Sequence, residues 1–260
     1  MSSHVALWSR ASKHALQPND FSEDTDYILN WIENQGIGFE GYSLLDIGCG
    51  TGTFALPLAL KKAHVTALDL SCDMLKIINE KSEALDTDVS VRLQHADWSA
   101  FTSEEVYDIV LASMTPALST QRDIEAMLNV TRSLGIFVGW KRYRHNSLLD
   151  LLLIAHNAPE YHANPSVEVK AFLHALEKAS IAYNVHYFPS TYKRAYTFEQ
   201  AKEYAYKQLI GYNIFPSEAK INAVLNDLIE DNLIVSENKS EKGVVLFSKC
   251  PLLHHFSLVC

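Results

Sequence analysis

The stretch "LLDIGCGTGTFALPLA", residues 44–59, decides how the rest of this 260-residue chain is read. An apolar run carrying one acid, Asp46, leads into glycines at alternate positions, Gly48, Gly50 and Gly52, and then into a helix-compatible run. Glycine at a strand-to-helix turn admits φ > 0 and lets a ligand approach with no Cβ in the way, and the helix behind it offers free N–H groups. A dinucleotide turn reads G-x-G-x-x-G and sets a pyrophosphate on those N–H groups. Here the third glycine comes one place early and Thr53 stands where that pattern wants glycine. The Asp46 carboxylate would repel a phosphate and suits an ammonium group. The turn therefore points to a ligand with an amino-acid end and disfavours a nicotinamide dehydrogenase.

Outward from this turn, short apolar runs alternate with helical patterns. "YSLLDIG" (42–48), "HVTALDL" (64–70), "VSVRLQHADW" (89–98), "YDIVLASM" (107–114) and "GIFVGWKRY" (135–143) read as strands. Residues 5–40 read as helical, with "DTDYILNWIENQG" (24–36) setting one apolar face, and "GTFALPLALKKA" (52–63, with Pro57 expected to kink it), "CDMLKIINEKSEAL" (72–85) and "QRDIEAMLNVTRSL" (121–134) read as helices. Such alternation predicts parallel strands with right-handed crossovers, a doubly wound, mostly parallel α/β sheet of Rossmann-like type with helices on both faces. Beyond Tyr143, helices near 147–157 and 166–180 precede a strand at 182–196, helices at 197–210 and 217–232, and a last strand at 243–250. The expected organisation is one domain: a core at 25–143, a helical cap at 144–182, and the end of the sheet with C-terminal helices at 183–260.

Ligands on such sheets bind beyond the carboxyl ends of the strands. Asp69 ends the second strand about 20 residues past the glycines, where an acid accepts both ribose hydroxyls. Asp97, in "HADW", is placed to accept an exocyclic adenine amine, with Trp98 or Leu70 against the purine; a turn cap is the alternative for Asp97 and core packing for Trp98. Amino-acid end, ribose and adenine together describe S-adenosyl-L-methionine.

With "LLDIGCGTGTFA", "VTALDLSCDML", "QHADW" and "YDIVLASMTPAL" in this order, the chain resembles the class I S-adenosylmethionine-dependent methyltransferases, firmly over 44–118 and loosely over 25–142. The resemblance implies that Asp46, Gly48, Cys49, Gly50 and Gly52 cradle the methionine part and Asp69 holds the ribose. It further implies that Leu70 and Met74 flank the adenine, Asp97 and Trp98 close over it, and Ser113 and Met114 lie near the departing methyl. "ASMTPAL" replaces the Asn/Asp-Pro-Pro-Tyr of enzymes that methylate amide and exocyclic amino nitrogens, so the plan is most similar to the small-molecule enzymes. A macromolecular acceptor (RNA or protein) and a non-catalytic S-adenosylmethionine-binding module are the alternatives.

A net charge of −9 and a pI near 5.6 argue against nucleic acid as a partner. The first thirty residues lack a signal-like apolar segment, and the strongest apolar run (147–156) is too short for a bilayer and carries Asp150. Cys49, Cys72, Cys250 and Cys260 show no zinc spacing, and no metal is expected. A cytoplasmic enzyme with a small-molecule acceptor, monomeric or homodimeric, is the expectation. For a general base the sequence offers His145, His156 and Tyr143, with His162 beside them; "WKRYRH" (140–145) could attract an acidic acceptor, and Trp8, Arg10 and Tyr27 could fold over the cofactor.

Overall fold

The computed structural model describes residues 23–85, 91–102, 105–158 and 168–249, and for 23 and 142–144 the backbone alone. The strands are β1 (Ser43–Ile47), β2 (His64–Asp69), β3 (Val91–His95), β4 (Tyr107–Ser113), β5 (Thr131–Asn146), β6 (Tyr183–Tyr196), β7 (Ile229–Glu230) and β8 (Leu233–Ser248). The helices are α1 (Glu23–Asn34), α2 (Ala55–Leu60), α3 (Cys72–Glu83), α4 (Gln121–Val130), α5 (Ser147–Ala155), α6 (Val169–Lys178), α7 (Phe198–Gly211) and α8 (Glu218–Leu228). The strand order is β3-β2-β1-β4-β5-β8-β6, with β7 paired to β8. β1 runs parallel to β2 and β4, β2 to β3, and β4 to β5. The expected doubly wound, mostly parallel sheet is thus present. The chain moves outward from β1 to β3 and returns on the other side of β1 as β4. The order therefore reverses between β1 and β4, and in sheets of this kind the ligand crevice opens at that point.

Local chemistry explains the boundaries. Ser71 caps α3 by accepting the Met74 N–H, and Thr120 with Asp123 forms a reciprocal capping box at α4. The helix around Pro57 is shorter than expected, α2 starting at Ala55, so that Pro57 is not interior. It is the third residue of the helix, within the first turn, where its missing N–H would have had no intrahelical partner. α4 ends at Val130 instead of running on to Leu134, because β-branched Thr131 already pairs with Tyr107 of β4.

The described residues divide into two compact units, those within 23–139, 168–186 and 243–249, and those within 140–158 and 187–242. The division cuts through the expected cap: α6 belongs to the first unit and α5 to the second. In the first unit, Phe137 of β5 stacks on Phe172 of α6 at 4.1 Å between ring centroids and 6° between planes. Phe247 of β8 lies against Phe172 at 5.8 Å, and its ring occupies the space where Gly135 would carry a Cβ. In the second unit, α5, α7 and α8 bury Leu149, Leu152, Leu209, Ile221 and Leu225 together with Ile234 of β8. Asn146 anchors this unit: it caps α5 through Leu149 N, accepts from Ser236 Oγ and donates to Asn238 Oδ1 at 2.7 Å. Among the described residues no helix is long and apolar enough to cross a membrane.

Candidate functional site

The glycine turn leaves β1 at the reversal point. Gly48, Gly50 and Gly52 all adopt positive φ, at 65°, 55° and 81°, so each demands glycine on conformational grounds. Their surroundings differ. A Cβ on Gly48 would fall within the Thr115 hydroxyl, and one on Gly52 would crowd Ile78 and Leu56 at 3.0–3.2 Å. A Cβ on Gly50 would meet nothing within 4 Å. Gly48 and Gly52 thus serve close packing, whereas Gly50 faces open space. The turn is pinned by Cys49 N–H donating to Leu68 O at 3.0 Å and by Gly50 N–H donating to Asp69 Oδ2 at 2.9 Å.

Two carboxyl groups border the turn, Asp46 two residues before Gly48 and Asp69 bonded to the Gly50 N–H. Asp46 is 2% exposed in the middle of the sheet. Burial first, and then the Asp69 charge, push its carboxyl up to about 8, against a lowering contribution from the Ala55 N–H. Asp69 ends β2, and its Oδ1 accepts the Ser71 N–H at 2.8 Å while Oδ2 takes Gly50. Burial raises its carboxyl too, opposed by the Ser71, Gly50 and Leu70 N–H groups and by His95. An acid whose ionisation is opposed by burial and by a neighbouring carboxylate, as Asp46 is by Asp69, favours a ligand that brings a positive charge. Cys49 is buried beside them, and burial together with both acids holds its thiol well above the ordinary range, so it is a small packing residue and no nucleophile.

The other expected cofactor residues stand at or just beyond the ends of β2, β3 and β4. Leu70 follows Asp69 directly, its carbonyl 3.0 Å from His95 Nε2, and Met74 is buried in the first turn of α3. Asp97 caps the short 3₁₀ turn Trp98–Ala100, accepting from the Ser99 N–H at 2.9 Å and the Ser99 hydroxyl at 2.8 Å. Trp98 is buried, donates its indole N–H to Asp123 O at 3.1 Å and stacks on Phe101. Both residues thus make the local contacts of their alternative readings, cap and core. Ser113 ends β4, and Met114 takes a left-handed φ of 50°, held there by its N–H on Val138 O at 2.9 Å. A non-glycine residue in that conformation is a strained one.

Among the base candidates, His156 is set aside. Its Nδ1 donates to Leu152 O at 2.7 Å and its Nε2 accepts the Ser217 N–H at 3.0 Å, so both nitrogens clip the end of α5 to the start of α8. His145 is exposed, with Nδ1 2.5 Å from Asp150 Oδ2. The side chain of Tyr143 lies outside the description, as do Trp8, Arg10, His162, Cys250 and Cys260. Lys141 of the basic run pairs with Glu241 at 2.7 Å and lies over the Tyr187 ring at 4.3 Å. Tyr27 is 45% exposed and donates to or accepts from His186 Nε2 at 2.8 Å, while His186 stacks on Trp31 at 5.1 Å. Among the described residues no group of His, Cys, Asp or Glu is placed to hold a metal ion.

Sequence reasoning missed Thr115. It is 5% exposed, its Oγ1 accepts the Ala117 N–H at 3.1 Å, and it fills the space above Gly48. Its only sequence signal is position, two residues past β4.

Residues 44–135 match a family model described as a methyltransferase domain. The chain is 41% identical over 71 residues to a ubiquinone biosynthesis O-methyltransferase of Hydrogenovibrio crunogenus, covering 27% of this chain and 30% of that protein. It is 35% identical over 83 residues to a 23S rRNA (uracil(1939)-C(5))-methyltransferase of Shewanella frigidimarina, covering 32% and 17%. The chain thus spans a third or less of these curated relatives. The crystal structure of magnesium protoporphyrin IX methyltransferase from Synechocystis PCC 6803, with bound S-adenosylhomocysteine, shares the fold at a TM-score of 0.51 and 14% identity, over 96% of this chain and 89% of that one.

Proposed function

We propose that this protein, whose residues 44–135 match a methyltransferase-domain model, is a class I S-adenosylmethionine-dependent methyltransferase that acts on a small-molecule acceptor. The observation that carries the reading is the open face of Gly50 beside two acids, the buried Asp46 and the half-buried Asp69, at the point where the strand order reverses. S-adenosylmethionine fits this chemistry: its ammonium answers the acid pair, its ribose hydroxyls answer Asp69, and it carries no phosphate. When bound, it supplies an electrophilic methyl group on a sulfonium.

The chain's own residues bind and orient. Asp46 compensates the ammonium, and its burial makes that compensation strong. Asp69, fixed by Gly50 and Ser71, has lone-pair directions left for ribose hydroxyls. Leu70 and Met74 are assigned to the adenine, with Asp97 and Trp98 at its rim. Ser113 and Met114 are assigned to the side from which the acceptor approaches. Orientation in line with the sulfonium supplies most of the rate in such a transfer.

The small-molecule assignment is supported by the absent Asn/Asp-Pro-Pro-Tyr, the acidic charge balance and the ubiquinone-biosynthesis relative. A cytoplasmic setting belongs to the same proposal. The rRNA-modifying relative supports the second reading, an RNA acceptor.

Thermal unfolding with S-adenosylmethionine, S-adenosylhomocysteine and NAD(H) tests the cofactor. A ligand at ~100 times its Kd stabilises the fold by about 2.7 kcal/mol. A shift with the sulfur nucleotides and none with NAD(H) is expected; no shift with either sulfur nucleotide would sink the reading.

A further inference from the structure

Two loops meet at the reversal point, the glycine turn after β1 and the segment after β4, and one side chain fills the seam. The Thr115 hydroxyl occupies the position a Gly48 Cβ would take, and its own Cβ is 2.8 Å from that position. Thr115 is itself held: it is 5% exposed, its Oγ1 accepts the Ala117 N–H, and the preceding Met114 is locked in a left-handed conformation by Val138. A buried, hydrogen-bonded side chain against the α-carbon of a positive-φ glycine leaves that glycine no room to shift.

We propose that Thr115 is a positioning residue for the cofactor turn: it sets the place of Gly48, and through it the open face of Gly50, against the acceptor-side segment 113–117. This rests on the cofactor reading above. It acts through steric contact with Gly48 and needs no bond to the ligand.

The test is a double-mutant cycle on the full-length protein, read by calorimetric binding of S-adenosylhomocysteine and by thermal unfolding. Gly48→Ala is expected to weaken binding by roughly 30-fold or more, from the clash and the positive φ together. Thr115→Gly in the wild-type background is expected to weaken it ~5-fold, and in the Gly48→Ala background to strengthen it ~10-fold, a reversal of sign that marks direct coupling. Thr115→Ser keeps the hydroxyl and is expected to bind within about twofold of wild type. Additive effects, or a Thr115→Gly variant that lowers Tm while binding unchanged, would overturn the positioning role and leave only a packing residue. A wild-type protein that fails to bind S-adenosylhomocysteine would instead overturn the cofactor reading, and this inference with it.

Discussion

Asp46 offers the sharpest quantitative test. Its carboxyl is pushed up to about 8 in the folded protein by burial and by Asp69, against about 3.9 in an unfolded chain. Between these values the folded state holds a proton that the unfolded state releases, so stability is fully present below about pH 4 and is lost as pH rises toward 8. The slope is about 1.4 kcal/mol per pH unit, or about 5–6 kcal/mol across the whole window, a large share of the ~5–15 kcal/mol typical of a folded domain. Asp46→Asn removes the titration and keeps the shape. The assay is urea unfolding of wild type and variant at pH 5, 6, 7 and 8, followed by tryptophan fluorescence, taking only the difference between the two proteins. Asp69 shifts in the same direction but is present in both, so it largely cancels. The variant is expected to gain on the wild type by about 1.4 kcal/mol for each unit of rising pH. A difference constant within about 0.5 kcal/mol from pH 5 to pH 8 would refute the reasoning, since Asp46 would then be ionised in the native state throughout. The same reasoning requires S-adenosylhomocysteine binding at pH 7 to release close to one proton, measurable by calorimetry in buffers of different ionisation enthalpy.

Asp69→Ala is expected to cost about 1.5–3 kcal/mol of cofactor affinity, roughly 10- to 150-fold in Kd, read by calorimetry. Gly135→Ala drives a methyl group into the Phe247 ring and is expected to destabilise by about 1–3 kcal/mol in denaturant, with partial recovery on adding Phe247→Leu. His156→Ala leaves Leu152 O and Ser217 N–H without their partner; about 1–3 kcal/mol of stability should be lost with cofactor affinity unchanged.

Much of the sheet was legible because its strands are buried on both faces and read as plain apolar runs. β1, β2 and β4 lie within two residues of their expected ends. β8 shows why legibility failed elsewhere. Only its second half, "GVVLFS", announces a strand; the first half, "LIVSENKSEK", extends it back to Leu233. There the buried positions are Ile234, Ser236 and Asn238. Two of the three inward residues are polar, satisfied by Asn146 across the sheet, so the period-2 signal is erased by a hydrogen-bond network that sequence does not display. β7 was hidden for another reason: "LIEDN" looks helical, but Asp231 and Asn232 both turn left-handed and close a hairpin between Ile229 and Ile234. At the site, the acids and glycines were readable because their spacing is local. Thr115 against Gly48 and the Ser217 partner of His156 depend on segments 61 or more residues apart in sequence, and no local pattern carries such pairings.

The bond from the Gly50 amide to Asp69 has a consequence for selectivity. A glycine turn at the head of a helix ordinarily presents its amides as a seat for anions. Here one amide is already taken by a carboxylate of the protein's own chain. The turn is thus an anion seat that arrives filled: inorganic phosphate or a nucleotide would have to evict a covalently tethered competitor whose effective concentration far exceeds its own. Discrimination against phosphorylated relatives of the ligand is therefore built in before any ligand arrives, by occupancy of the seat and not by its shape.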